Sequence, residues 1–143
     1  MDTTTRTIDR SVEIDAPAER VWTIISEPGW WVNDGHLTPH EIEDLGDGTC
    51  RFTDPAHGTF VITTVALDAP RHAAFRWHPT DPDDPSTLTE FWITESDGGG
   101  VVLRVVESDF DALPAEKREA FLRGNTAGWE AELLVARRAA ETA

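Results

Sequence analysis

Hydrophobic and polar residues alternate near the start of the chain, from Thr7 to Ile14. Ile8, Val12 and Ile14 share one face of this stretch, and polar residues occupy most of the other. Side chains alternate between two faces only in an extended strand, so the pattern predicts a β-strand. Arg10 falls on the apolar face, where a charged side chain needs a partner.

A short helix is predicted directly after this strand. Pro17 opens it, because proline is tolerated where its missing N–H has no partner within the helix. Val21, Trp22 and Ile25 lie on one side, and a Pro-Gly pair ending at Gly29 stops the helix.

Six further runs of strand-like pattern follow, separated by tight-turn residues such as Gly46, Pro55, Pro70, Pro82 and Gly98. The predicted strands lie near His40–Leu45, Thr49–Thr53, Thr59–Leu67, His72–His78, Thr87–Glu95 and Val101–Ser108. Short strands joined by tight turns are typical of an antiparallel meander.

The last segment, from Pro114 to about Glu141, is predicted to form one long helix. At 100° per residue an apolar stripe runs along it. The stripe consists of Phe121, Leu122, Trp129, Leu133, Ala136 and Ala140. One long helix must cover the apolar face of the sheet, so the sequence predicts an α+β fold. A curved antiparallel sheet of about seven strands would wrap around the C-terminal helix, with short helices after the first strand.

The composition indicates a single acidic domain spanning residues 1–143. Lys and Arg number 12 and Asp and Glu number 27, which gives a formal charge of −15. Such a charge disfavours nucleic acid and anionic membranes as partners, and no apolar run approaches the roughly 20 residues of a bilayer span. The first residues lack the pattern of a signal peptide and Cys50 is the only cysteine, so we expect a cytoplasmic protein.

Several stretches resemble the START/SRPBCC superfamily, which has the helix-grip fold. They run from Val12 to Trp22, from Pro28 to Trp31, from Val106 to Phe110 and from Gly124 to Glu130. The bacterial branch similar to the carboxy-terminal domain of the activator of heat-shock-protein-90 ATPase is the nearest, although its members often carry glycine where this chain has Asp109. The resemblance implies a cavity between the long helix and the sheet for a small apolar or aromatic molecule.

Two glycines lie one turn apart on the long helix, at Gly124 and Gly128. Each costs about 1 kcal/mol relative to alanine inside a helix, so the pair needs a reason. The glycines leave space for a ligand over the sheet, or they allow the helix backbone to touch the sheet directly.

Polar side chains are predicted on buried faces. Asn125 and Glu132 lie on the inner arc of the long helix. Asn125 is interpreted as a polar handle for a ligand, and Glu132 is expected to reach solvent. Glu107 should point inward at the end of its strand, either in a structural salt bridge with Arg10 or as a carboxyl whose pKa is raised by burial.

Six tryptophans are many for a small domain. Core packing accounts for most of them, whereas Trp30 and Trp31 follow a terminated helix and are expected to form a wall or lid of the cavity. The residues predicted to bind a ligand are Trp30, Trp31, Phe75, Trp77, Glu107, Phe121, Asn125, Gly128 and Trp129.

Common catalytic and metal-binding motifs are missing from the sequence. It contains no nucleophile elbow, no phosphate-binding loop and no dinucleotide fingerprint. Cys50 has no neighbouring histidine, and His36 with His40 lacks a third convergent ligand. We therefore expect no metal and no cofactor, and we assign no catalytic residue.

The sequence favours binding of a small, largely apolar or aromatic molecule between sheet and helix. One alternative is an enzyme similar to polyketide cyclases and aromatases, in which Glu107 would move a proton. Another is an interaction module for a chaperone, held by surface contacts, which is not favoured. The identity of the ligand and the oligomeric state are left open.

Overall fold

The computed structural model describes residues 7–33, 35–78 and 86–142. Its elements are β1 (Ile8–Ile14), α1 (Ala18–Ile25), β2 (Glu43–Gly46), β3 (Thr49–Asp54), β4 (Gly58–Asp68), β5 (His72–His78), β6 (Thr87–Glu95), β7 (Val101–Ser108) and α2 (Ala115–Thr142), with a 3₁₀ turn at Phe110–Ala112. The order is the predicted one. Residues 1–6 and the predicted turn at Pro82 lie outside the described residues.

The seven strands form one antiparallel sheet in the order β1-β7-β6-β5-β4-β3-β2. Strands β2 to β7 are a meander, and β1 returns to pair with β7. The α+β fold predicted from the sequence, with a curved sheet and a long C-terminal helix, is confirmed.

The first strand of the meander is shorter than predicted. It begins at Glu43 rather than His40, because its backbone pairing with β3 starts only at Glu43. The imidazole Nε2 of His40 lies 2.9 Å from the Asp54 carboxylate instead. All four residues of β2 are exposed at the edge of the sheet, where charged side chains hinder pairing with another chain.

Helix α2 buries only part of the predicted stripe. Its buried side chains are Trp129, Leu133, Val135, Ala136 and Ala140. Phe121, predicted to belong to that stripe, is 38% exposed. The second half of the helix therefore packs closely against β1 and α1, and the first half is less buried.

An aromatic cluster forms the centre of the core. The ring of Trp31 lies 5.6 Å from Phe75, 5.6 Å from Phe91 and 5.7 Å from Trp129. Trp30 packs on Phe91 at 5.3 Å and is only 2% exposed. Trp30 thus belongs to the interior of the core, because its ring faces the sheet.

No helix in the described part of the chain has the length and apolar character that crossing a membrane requires.

Candidate ligand cavity

A cavity of about 320 Å³ lies between α2 and the sheet. Its described walls are Trp31, Val32, Asn33, His57, Phe60, Trp77, Gly124, Asn125, Gly128, Trp129 and Glu132. Phe60 and Trp77 come from β4 and β5, and the segment after α1 supplies Trp31, Val32 and Asn33. Three indoles and a phenyl ring make the wall largely apolar, with a few polar groups among them, as is common for small-molecule sites.

The two helix glycines face open space. A Cβ atom built on Gly124 or on Gly128 would meet nothing within 4 Å. The alternative in which these glycines let the helix backbone touch the sheet is therefore wrong. Both glycines are exposed and line the cavity on its open side, so a larger side chain at either would extend into that opening.

A second cavity of about 270 Å³ adjoins the first. It shares His57, Phe60, Trp77 and Asn125 with the first cavity. Its other described walls are Thr59, Thr87, Leu113 and Phe121. The exposed ring of Phe121 thus lines the second space, and the two volumes together could hold a ligand larger than either alone.

Glu107 is fully buried beneath the cavity floor. It is 0% exposed, as the alternation along β7 predicted. Its carboxylate accepts hydrogen bonds from Trp129 Nε1 at 2.8 Å, from Trp77 Nε1 at 3.3 Å, from Asn125 Nδ2 and from the Thr87 hydroxyl. All of these donors are neutral.

Of the two alternatives for Glu107, the salt bridge with Arg10 does not form. The Arg10 guanidinium instead lies 3.0 Å from Glu130 on the outside of α2, and its side chain is 44% exposed. The reason is the position of β1 at the sheet edge beside α2, where a long side chain can turn outward to solvent.

Burial raises the pKa of Glu107 above its ordinary value, and the hydrogen bonds from Thr87, Trp129, Asn125 and Trp77 oppose part of that rise. The direction agrees with the geometry, since no cation contacts the carboxylate among the described residues to offset its desolvation. The carboxylate is enclosed by its donors and is absent from the described lining of both cavities.

Asn125 connects this buried carboxylate with the cavity. Its Nδ2 donates to both oxygens of Glu107, at 3.1 and 3.2 Å. In this arrangement the amide nitrogen faces Glu107 and the amide oxygen faces away from it. Asn125 lines both cavities, and His57 is the other strongly polar side chain that they share.

Glu132 also borders the first cavity, and the expectation that it simply reaches solvent is wrong. Its Oε1 accepts a hydrogen bond of 2.7 Å from Asn33 Nδ2. Burial raises the pKa of Glu132, while the Asn33 hydrogen bond and the nearby His57 lower it in part. Asn33 is held in place because its Nδ2 also donates to the Trp30 carbonyl and its Oδ1 accepts from the Thr38 backbone N–H, each at 2.8 Å.

The structure brings most of the sequence-predicted site residues together. Trp31, Trp77, Asn125, Gly128 and Trp129 line the first cavity, and Phe121 lines the second. Glu107 lies beneath them, whereas Trp30 and Phe75 pack in the core and are not among the lining residues.

Sequence reasoning missed Asn33, His57 and Phe60 as wall residues. Asn33 and His57 belong to connecting segments, whose path over the sheet no periodicity reveals. The turn residues after β3 did predict a hairpin, and that hairpin carries His57.

Among the described residues, Cys50, His36 and His40 form no further site. Burial raises the pKa of the Cys50 thiol, which disfavours the reactive thiolate. His40 is paired with Asp54, and His36 is exposed. Within the described ranges, no group of three or more His, Cys, Asp or Glu side chains could hold a metal ion.

The sequence from residue 5 to residue 140 matches the family described as polyketide cyclase/dehydrase and lipid transport. The chain belongs to this family. The expected membership of the START/SRPBCC superfamily is thereby confirmed. A comparison with curated proteins gave no match for this family member.

Solved structures similar to this polyketide cyclase/dehydrase family member cover nearly all of its chain. Protein MLL2253 from Mesorhizobium loti has a TM-score of 0.70 at 16% identity, over 93% of this chain and 95% of that one. The Aha1 dimer from Colwellia psychrerythraea has a TM-score of 0.68 at 16% identity, over 94% and 96%. DynU16, from the dynemicin biosynthetic locus, has a TM-score of 0.68 at 17% identity, over 93% of this chain and 46% of that one. At these identities the likeness shows the fold.

Proposed function

We propose that the protein binds a small, largely apolar or aromatic molecule in the cavity between the sheet and α2. The observation that carries this proposal is the unfilled, indole-walled space over Gly124 and Gly128. Glycine is the least favourable ordinary residue inside a helix, and neither glycine is required by a close contact. An open volume is what the two glycines provide.

Binding would be driven by the burial of the ligand's apolar surface against Trp31, Trp77, Trp129 and Phe60. Removing apolar surface from water contributes about 25 cal/mol per Å². Asn125 and Glu132 add polar groups that fix the orientation of the ligand. Lipid carriage and polyketide processing both need such a cavity, so the family description supports this reading.

The test is a titration with naphthalen-2-ylmethanol, a neutral probe with an aromatic body. The tryptophan emission should change saturably, because Trp31, Trp77 and Trp129 line the cavity. Calorimetry at several temperatures should give a negative ΔCp of binding, and the Tm should rise with the probe concentration. A panel of neutral aromatic and aliphatic probes that changes neither emission nor Tm would contradict the proposal.

A second function, a cyclase or dehydrase reaction, is favoured by one observation. Glu132 presents a carboxyl with a raised pKa to the cavity, close to His57. Such a group can remove a proton from carbon and return it to a leaving hydroxyl. Glu107 is less suited to this role than Glu132, since its four donors enclose it.

Heptane-2,6-dione is a simple probe of this chemistry. Loss of an α-proton, attack of that carbon on the distant ketone and departure of water give 3-methylcyclohex-2-enone. Accelerated formation of this enone, lost in Glu132→Gln and kept in Glu116→Gln, would support the enzyme. Equal rates with and without the protein would count against this activity.

The likeness to the Aha1 dimer shows only the fold and gives no support to the chaperone hypothesis.

A further inference from the structure

Most nitrogen donors of the described cavity wall are already used within the protein. Trp77 Nε1, Trp129 Nε1 and Asn125 Nδ2 all donate to the carboxylate of Glu107. On the other side of the cavity, Asn33 Nδ2 donates to Glu132 and to the Trp30 carbonyl. Glu107 thus draws three donors of the wall away from the ligand.

Two further nitrogens of the wall do not alter this pattern. His57 Nε2 lies 3.2 Å from the carbonyl oxygen of Asn33, and because a carbonyl only accepts, Nε2 must be the donor there. Trp31 Nε1 has no hydrogen-bond partner in the described part of the chain, but it is enclosed by packing and has no accessible surface to offer.

Acceptors, in contrast, are left open. Asn125 Oδ1 accepts no hydrogen bond from any residue that the structure describes. Glu132 uses Oε1 for Asn33, and its Oε2 accepts none within the same ranges. A polar group of a ligand that enters this space therefore meets an amide oxygen and a carboxylate oxygen.

The charges of the cavity wall also disfavour a ligand with an acidic group. Glu132 and His57 are the ionisable residues in the described lining of the two cavities, and neither Lys nor Arg is among them. An anion placed there would lose its hydration without a counter-charge, and the net charge of −15 opposes its approach. Aromatic faces and a carboxylate instead favour a cation or a neutral donor.

We propose that the ligand has an apolar, aromatic body and a polar end that donates hydrogen bonds, an ammonium or a hydroxyl, and that the cavity rejects carboxylates and phosphates. This inference rests on the proposed binding function. Glu107 is a positioning residue here, because it holds the Asn125 amide with its oxygen toward the ligand.

The test compares three ligands with one body and different polar ends, namely naphthalen-2-ylmethylamine, naphthalen-2-ylmethanol and 2-naphthoate. Calorimetry on the full chain at pH 7.5 and low salt should show that the amine and the alcohol each bind at least tenfold more tightly than the naphthoate. An amine that binds more tightly than the alcohol would identify charge as part of the selection, and equal affinities would identify hydrogen-bond donation alone. Naphthoate binding as tightly as either one would overturn the inference. If none of the three binds, the proposed binding function fails as well.

Two variants of α2 distinguish the effect of the Glu132 carboxylate in the cavity wall from the effect of the overall charge of the protein. Glu132→Gln removes the charge and adds a donor while it keeps the shape of the side chain, so the preference for amine over naphthoate should fall at least fivefold. Glu116→Gln makes the same charge change at an exposed position on the same helix, and it should leave the preference unaltered. An unchanged preference in a folded Glu132→Gln protein would contradict the assignment of this carboxylate to the ligand site.

Discussion

The side-chain amide of Asn125 donates to both carboxylate oxygens of Glu107, at 3.1 and 3.2 Å. This contact joins α2 to β7 at the floor of the cavity. Through Trp77 and Thr87 the same carboxylate also joins β5 and β6. One buried carboxyl group therefore joins three strands and the helix around the space proposed for the ligand.

Glu107→Gln should remove the contribution of this carboxyl group to the pH dependence of the free energy of unfolding. The unfolded chain ionises Glu107 near its ordinary pKa of about 4.3, whereas burial raises the pKa in the folded protein. Below the pKa of the unfolded chain, Glu107 is protonated in both states, and its contribution to the free energy of unfolding is fully present. As the pH rises through the folded pKa, the unfolded state releases the proton first, and the wild type loses free energy of unfolding relative to the variant.

Urea midpoints of both proteins from pH 4 to pH 8 measure this difference, since contributions of the other carboxylates cancel between them. A tenfold difference in proton affinity between the two states is worth about 1.4 kcal/mol. If the wild type instead becomes more stable relative to the variant as the pH rises, the four hydrogen bonds to Glu107 outweigh its desolvation.

Gly128→Leu should fill the cavity without harming the fold. No atom beyond the glycine, its two chain neighbours and the backbone of its own helix lies within 4 Å of a Cβ at this position, and the helix gains about 1 kcal/mol of propensity. We expect an equal or higher urea midpoint together with at least a tenfold loss of affinity for naphthalen-2-ylmethanol.

Ala127→Leu is the matched control, because Ala127 is the adjacent exposed residue of the same helix and is not among the described lining residues of either cavity. It should raise bulk without touching the ligand, so its affinity should equal that of the wild type. Unaltered binding in Gly128→Leu would place the ligand in the second cavity, nearer Phe121.

The strands and the long helix could be predicted because alternation, turn residues and an apolar stripe at 100° per residue are local signals. Strands β5 to β7 have the predicted bounds, and the inward direction of Glu107 followed from its place in β7. Its partners could not be predicted, since Trp77, Thr87 and Asn125 meet it only through sheet pairing and helix docking.

The same distinction explains the errors at the site. Arg10 has the sequence position of an inward residue, yet its strand lies at an edge and the side chain escapes to Glu130. Asn33 and His57 reach one cavity from two separate connecting segments. Trp30 and Trp31 are neighbours in sequence, but only the second borders the cavity, because consecutive side chains leave the backbone in different directions.

Gly29→Ala should be strongly destabilising and should disturb the segment that carries Trp31. Gly29 has a φ of +80°, and a Cβ there would overlap the ring of Phe52. We expect the left-handed backbone to cost about 1–2 kcal/mol and the overlap about 1–3 kcal/mol more. Gly35→Ala has a similar φ of +86° with nothing within 4 Å, so it isolates the backbone cost. Equal urea midpoints for the two variants would show that the Phe52 ring gives way freely.

Asp54→Asn should weaken the turn that positions His57 at the cavity. The Asp54 carboxylate accepts the backbone N–H groups of Ala56 and His57 through Oδ2, each at 2.9 Å, and His40 Nε2 through Oδ1. The His40 hydrogen bond is the main cause that lowers the pKa of Asp54, and the backbone hydrogen bonds add to it. The unfolded chain binds this proton at a higher pH than the folded protein, so the stabilisation is present above about pH 3.9 and is lost as the pH falls through the lowered pKa.

An asparagine at position 54 keeps one acceptor oxygen but presents an NH₂ group to one of the two sets of donors. The variant should therefore have a lower urea midpoint than the wild type at pH 7, and the gap between them should close toward pH 2. Asp97→Asn is the control, because Asp97 is exposed in the β6–β7 hairpin and should change neither the midpoint nor its pH dependence. The affinity for naphthalen-2-ylmethanol at pH 7 should fall in Asp54→Asn and not in Asp97→Asn, since only the first change frees His57 from its place in the wall. A stable Asp54→Asn protein with a constant gap across the pH range would mean that the turn holds His57 without this carboxylate.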